Sequence, residues 1–257
     1  MLTRLDHLVI LNPDLGAAVE RYTNLGFSVV AGGRHAIGTH NALVTFADGS
    51  YLELIAFFER SPDHRWWPAL QQGGGLVDFC VGSDDLRGDT ERLRRAGVPM
   101  QDPRPMSRMR PDGVEVRWEL AVPAPGYGGV LPFLIQDVTP RVERVPPAAD
   151  HPNGIAGIDG VAIAVADLAR ARQSYERLLE ETGAGPDHEV PGGGGVRFRL
   201  GDQSVTLLAP GGGDDPVARW LAARGPSPYR LTLRSGSRSR RDSWPESETE
   251  GVRIELV

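Results

Sequence analysis

The sequence predicts an α+β protein assembled from paired β-α-β-β-β units, with the second pair truncated. Three observations carry this reading. An alternating apolar stretch of fixed length runs into Asp-Leu three times, over residues 5–15, 76–86 and 158–168. A helical stripe of apolar residues follows each one. Short alternating strands, parted by turn residues, then fill out each unit.

The first unit opens with a strand over 5–11. Leu15, Ala18, Val19 and Tyr22 share one helical face, and Gly26 stands where that helix should stop. Strands follow over 27–31, 42–46 and 51–56, with Asp48-Gly49 as a hairpin turn. The second unit repeats the order. Its helix is weaker, carried by Leu86, Leu93 and Ala96 before Gly97, and its later strands are expected over 98–102, 114–122 and 130–138. Arg108 and Arg110 precede a Pro-Asp-Gly turn and read as loop residues, either over a cavity or in solvent. In the third unit Leu168, Ala171, Tyr175 and Leu178 form the stripe and Gly183 the stop. Strands are expected over 185–190, 196–200 and 204–209, turning at Gly201-Asp202. The fourth unit is cut down to strands over 229–233 and 252–256 around a polar loop over 234–250. The Pro-rich stretch after Arg144 is the best boundary. It divides a two-unit domain (1–143) from a linker (144–156) and a degenerate domain (157–257).

Composition narrows the function. The 257 residues hold 34 acids and 28 bases, for a net charge of −6, so a nucleic-acid or anionic-membrane binder is not expected. Every base is Arg. Schiff-base chemistry on a lysine and a P-loop lysine are therefore excluded. The lone Cys80 rules out a disulfide framework and reads as a small buried hydrophobe. No long apolar run or signal-peptide pattern stands out, and a soluble, cytoplasmic protein is expected.

Paired units of this kind resemble the vicinal oxygen chelate superfamily, which includes glyoxalase I, bleomycin-resistance proteins and extradiol dioxygenases. Local strings resemble its glyoxalase-like branch: Gly33-Arg34-His35, Gly38-Thr39-His40-Asn41, Asp48-Gly49-Ser50-Tyr51-Leu52-Glu53-Leu54-Ile55, Arg108-Met109-Arg110-Pro111-Asp112-Gly113, Leu131-Pro132-Phe133 and His151-Pro152-Asn153-Gly154. The resemblance implies helices on one face of each sheet and a cavity on the other. If the more apolar phase of each strand faces the helix, His7, Asp78 and Gly160 take equivalent inward positions, and Tyr51, Glu53 and Ile55 also point inward. The resemblance further implies four metal-ligand places, which fall on His7, Glu53, Asp78 and Phe133. Phe133 cannot bind a metal. The remaining His/Glu/Asp set would suit Mn, Fe or Zn.

Other candidates surround these. His35 is a general-base candidate with a pKa expected near neutrality. Asn41 could hydrogen-bond a substrate, although both residues also suit plain turn chemistry. Trp66 and Trp67 could roof an apolar pocket or pack a joint; Trp67 is the substrate-binding candidate. Arg117 could clamp a carboxylate, and its bland reading is a cross-strand salt pair on a wet face. The implied function is a metal-assisted isomerase, lyase or dioxygenase acting on a small oxygenated molecule. Its alternative is non-catalytic sequestration of a small ligand. A second domain that served dimerisation would make the protein a homodimer.

Overall fold

The computed structural model describes residues 1–148, 150–185, 194–212, 215–236 and 243–257. The first half runs β1 (Leu2–Leu11), α1 (Leu15–Asn24), β2 (Val30–His35), β3 (Thr39–Thr45), β4 (Tyr51–Phe57), α2 (Trp67–Gln71), β5 (Gly75–Ser83), α3 (Leu86–Arg95), β6 (Arg104–Met109), β7 (Glu115–Ala121), β8 (Phe133–Asp137) and α4 (Arg141–Arg144). The second half runs β9 (Ile155–Ala164), α5 (Leu168–Leu179), β10 (Gly195–Leu200), β11 (Gln203–Leu208), α6 (Pro216–Arg224), β12 (Ser227–Ser235), β13 (Ser243–Trp244) and β14 (Ile254–Leu256).

The repeated Asp-Leu is a helix-capping device. Asp14, Asp85 and Asp167 each accept a backbone N–H three residues on, at 2.7, 3.1 and 3.0 Å. Each cap satisfies an orphan donor and contributes about 1 kcal/mol. The helix that follows buries the predicted stripe: Ala18 and Tyr22 in α1, Leu86 and Leu93 in α3, and Ala171, Tyr175 and Leu178 in α5.

The first two units close into an eight-stranded barrel in the order β1-β4-β3-β2-β6-β7-β8-β5. One seam joins β1 to β5 along most of their length. The other joins β2 to β6 only at Arg34–Met109 and His35–Arg108. At that short seam the backbones nearly touch. A Cβ placed on Gly33 (φ +143°) would lie 2.0 Å from the Met109 carbonyl oxygen, so only glycine fits.

The truncated second pair is a single open sheet, β10-β11-β9-β12-β14-β13. One continuous core, from Leu5 and Ile10 to Leu231 and Ile254, runs through both halves. Within the 144–156 linker, Arg144 is 2 % exposed and His151 8 %. His151 accepts the Ser28 N–H and meets the Thr45 carbonyl through its other nitrogen, so this segment is no free tether.

Three sequence expectations change. The strand expected over 98–102 is replaced by β6, which Pro103 just before it and Pro105 within it make read as loop. Helix α6 was not anticipated; Asp215 caps it by accepting from Val217 and Ala218. The polar 234–250 loop carries Trp244, which is buried against Phe27. The 185–190 strand falls almost wholly on residues outside those described. No helix among the described residues is long and apolar enough to cross a membrane.

Candidate functional site

The barrel encloses a cavity of about 330 Å³. Its walls are apolar, built from Ile55, Trp66, Met106, Trp118, Leu120 and Phe133. Its polar floor gathers His7, His35, Asn41, Glu53 and Arg108. Size, apolar walls and a few converging polar groups are what a small-molecule site requires.

Strand register brings these groups together. In the β1–β4 pairing His7 lies beside Tyr51 and Val9 beside Glu53. His7 and Glu53 are therefore two positions apart on adjacent strands and share a face. Their side chains meet at 3.6 Å, His7 Nε2 to Glu53 Oε2. On the other carboxylate oxygen, Oε1, the Asn41 amide donates at 2.6 Å and His35 Nε2 stands 4.0 Å away. The imidazole of His7 stacks on Tyr51, with centroids 4.5 Å apart, and meets the edge of Phe133.

Behind the floor lies a buried ion network that fixes His7. The His7 Nδ1–H donates to Asp6 Oδ1 at 2.8 Å. Asp6 is also bound by Arg144, at 3.1 Å, and by Arg141. Burial alone would raise the Asp6 carboxyl, but the Arg144 guanidinium, with His7 and Arg141, overrules it and holds the group well below the usual carboxylate range. Asp6 is thus a permanent acceptor. It keeps the His7 proton on Nδ1 and leaves Nε2 facing the cavity. Arg144 also bonds Asp137 and the Tyr51 hydroxyl.

His35 is buried and bonded through Nδ1 to the Thr39 hydroxyl at 2.9 Å. Burial pushes its pKa down to about 4, against the pull of Glu53. The near-neutral value expected from sequence is therefore corrected: His35 stays uncharged at physiological pH. Burial drives the Cys80 thiol well up, so it keeps its proton.

Three predicted site residues lie elsewhere. Asp78 is buried beneath the cavity wall, and its carboxylate is already taken by Trp66 Nε1 (2.9 Å), the Phe79 N–H (2.9 Å) and Arg65 (2.8 Å). Trp67 packs on Phe57 outside the cavity, and its neighbour Trp66 supplies the wall. Arg117 is exposed. The apolar phase of β7 (Trp118, Leu120) lines the cavity instead of facing a helix, because the cavity wall itself is apolar. That turns Arg117 and Glu119 outward, where Glu119 pairs with Arg87. Sequence reasoning did not find Asp6 or Arg144, and it placed Arg108 on a loop that could cover the cavity, whereas the residue stands on strand β6 and lines it. Asp6 beside His7 was the available signal, since an imidazole in a cavity needs an orienting acceptor.

The four metal places implied by the resemblance supply two free donors, His7 and Glu53. Asp78 is occupied and Phe133 offers only a ring. Asp6, His7 and Cys80 also bring ligand-type atoms within 4.8 Å of one another, a grouping with the dimensions of a metal site. There the Asp6 oxygens face two guanidiniums. The first set stops at two ligands; in the second, Asp6 is already engaged by Arg141 and Arg144 and Cys80 keeps its proton, so no step below runs through a metal.

Comparison with known proteins agrees with the architecture. A hypothetical protein from Staphylococcus aureus superposes with a TM-score of 0.74 at 14% identity, covering 100% of both chains. A mutant 4-hydroxymandelate synthase from Streptomyces coelicolor gives 0.59 at 19% identity, covering 91% of this chain and 71% of the synthase. A fusion of a xylose isomerase-like TIM barrel with 4-hydroxyphenylpyruvate dioxygenase gives 0.54 at 12% identity, covering 91% of this chain and 36% of the fusion. At these identities the likeness is one of fold. No curated protein matches the sequence. The sequence pattern of the glyoxalase-like domain matches residues 5–179, more than half of the chain. With its closed barrel of two β-α-β-β-β units, the chain belongs to the glyoxalase-like domain family of the vicinal oxygen chelate superfamily.

Proposed function

We propose that the barrel cavity is the active site of an enzyme that moves a proton at the carbon beside a carbonyl, an isomerase- or lyase-type reaction on a small oxygenated molecule. One observation carries the reading: the His7 imidazole is tied through Nδ1 to an ionised Asp6, and its Nε2 faces the cavity 3.6 Å from Glu53. That arrangement suits a general base. His7 Nε2 takes the proton from substrate carbon, and the electron pair of the broken C–H bond moves to the carbonyl oxygen as an enolate. Asp6 and Glu53 stabilise the imidazolium that forms. In the tautomer with its proton on Nε2, where the Thr39 hydroxyl donates to Nδ1, neutral His35 can donate a hydrogen bond to a substrate oxygen. Asn41 holds Glu53 in place. The apolar walls exclude water and strengthen each of these interactions.

The test is exchange of substrate hydrogen for solvent deuterium. A panel of hydroxyketones and 2-oxo acids in D₂O is followed by proton NMR. The wild type should accelerate exchange for at least one compound. His7→Gln should slow it by about 100-fold or more, the usual range for loss of a general base. A compound that binds but exchanges at the same rate with wild type and variant would instead favour sequestration.

A second reading seats a divalent ion (Mn, Fe or Zn) at His7. The pairing of His7 Nε2 with the Glu53 carboxylate on one cavity face favours it. So does the carboxylate behind His7, the kind of outer partner that metal-bound imidazoles have. Metal analysis of the purified protein separates the two readings.

A further inference from the structure

Arg108 differs from Arg144, the other buried arginine of the cavity lining. It is 3 % exposed and lines the cavity. Arg144, equally buried, is bound by two carboxylates, Asp6 and Asp137. Arg65 has Asp78. Arg108 forms no ion pair among the described residues. One terminal nitrogen donates to the Arg144 carbonyl oxygen at 2.8 Å, and the other makes a long 3.3 Å contact to Asn41 Oδ1. Its Nε is buried with no hydrogen-bond partner. The Asn41 amide stands between this guanidinium and Glu53.

A buried charge without a counter-ion is costly, and folded proteins normally pair it. The guanidinium fork is also the group best shaped to take a carboxylate through two parallel hydrogen bonds. Strand β6 places it at the seam opposite His35, so a ligand held there would reach the His7–Glu53 pair. The remaining walls, Trp66, Trp118 and Phe133, offer aromatic faces to an apolar body.

We propose that Arg108 is the anchor for a carboxylate on the substrate, so that the cavity takes a small carboxylic acid with an apolar or aromatic body. This rests on the reading of the barrel cavity as the active site. Arg108 positions the acid; His7 does the chemistry.

The test uses phenylacetate and its uncharged isostere phenylacetamide at pH 7.5, with binding read by tryptophan fluorescence and calorimetry. The wild type should bind the acid at least about 10-fold more tightly than the amide, because the amide leaves the buried guanidinium unpaired. In Arg108→Gln that preference should fall to about one, with amide affinity kept within about threefold. Arg108→Lys should retain part of the preference. Equal binding of acid and amide to the wild type overturns the anchor alone and needs no variant. A preference that survives Arg108→Gln also overturns it. Binding of neither probe to the wild type counts against the anchor and against the cavity as a ligand site.

Discussion

Acid should unfold this protein partly through His35, and the size of the effect follows from its burial. In the folded chain its pKa is pushed down to about 4, whereas an unfolded histidine titrates near 6.5. Between those values the unfolded state binds a proton that the native state refuses. Stability therefore rises with pH through this window and is lost as pH falls from 6.5 toward 4. Between pH 7.5 and 5.0 the linkage relation gives a loss of about 2 kcal/mol from this one group. The perturbation is His35→Gln, which keeps a polar side chain but cannot titrate. Urea unfolding at the two pH values gives the loss for each protein. His64, also lowered to about 4 by burial with help from Arg65, is present in both proteins and cancels apart from the smallest part of its shift, which comes from His35 itself. The wild type should lose about 2 kcal/mol more than the variant on acidification. Equal losses would mean that His35 is not held neutral in the cavity, and its role as an uncharged donor would fail.

Other consequences can be checked in parallel. Arg144→Met leaves buried Asp6 and partly buried Asp137 with Arg141 as their one remaining shared guanidinium and should cost about 3 kcal/mol in unfolding free energy; a loss under about 1 kcal/mol would refute the ion network as a stabilising unit. Gly33→Ala should destabilise the β2–β6 seam and lower the melting temperature, because its Cβ meets the Met109 carbonyl; an unchanged melting temperature would contradict the close approach. Arg117→Ala, on the outer face, should change stability by no more than about 0.5 kcal/mol and leave phenylacetate binding unaltered. Protein purified without added metal should carry well under one equivalent of Mn, Fe or Zn. A full equivalent that disappears in a His7→Ala/Glu53→Ala double variant would establish the second reading.

Much of the fold is legible in the sequence because its cues are local. The Asp-Leu repeats mark capped helices, and strand alternation predicts correctly that His7 and Glu53 share a face. Legibility fails where a tertiary partner decides. The assumption that apolar phases face helices holds for β1, where Leu8 and Ile10 join the helix-side core, and fails for β7, where an apolar cavity claims Trp118 and Leu120. That single inversion assigned the carboxylate clamp to Arg117 while Arg108 stood in the cavity. Asp78 was expected as a ligand, but it lies outside the cavity lining, where Arg65 and Trp66, from the segment before β5, occupy its oxygens. No pattern within β5 announces those partners. Asp6 was passed over because alternation alone gives it the outward phase, whereas the register shift between Leu5 and His7 goes with its turn toward Arg144.

The proton position on His7 tests the account most directly. Long-range ¹⁵N–¹H correlation spectra of the histidine rings at pH 7.5 report it without a substrate. The predicted result is a proton on Nδ1, held by Asp6, with Nε2 turned toward the cavity, and a change of that pattern in Asp6→Asn. A bare Nδ1 with the ring proton on Nε2 would contradict a base oriented to act at this site.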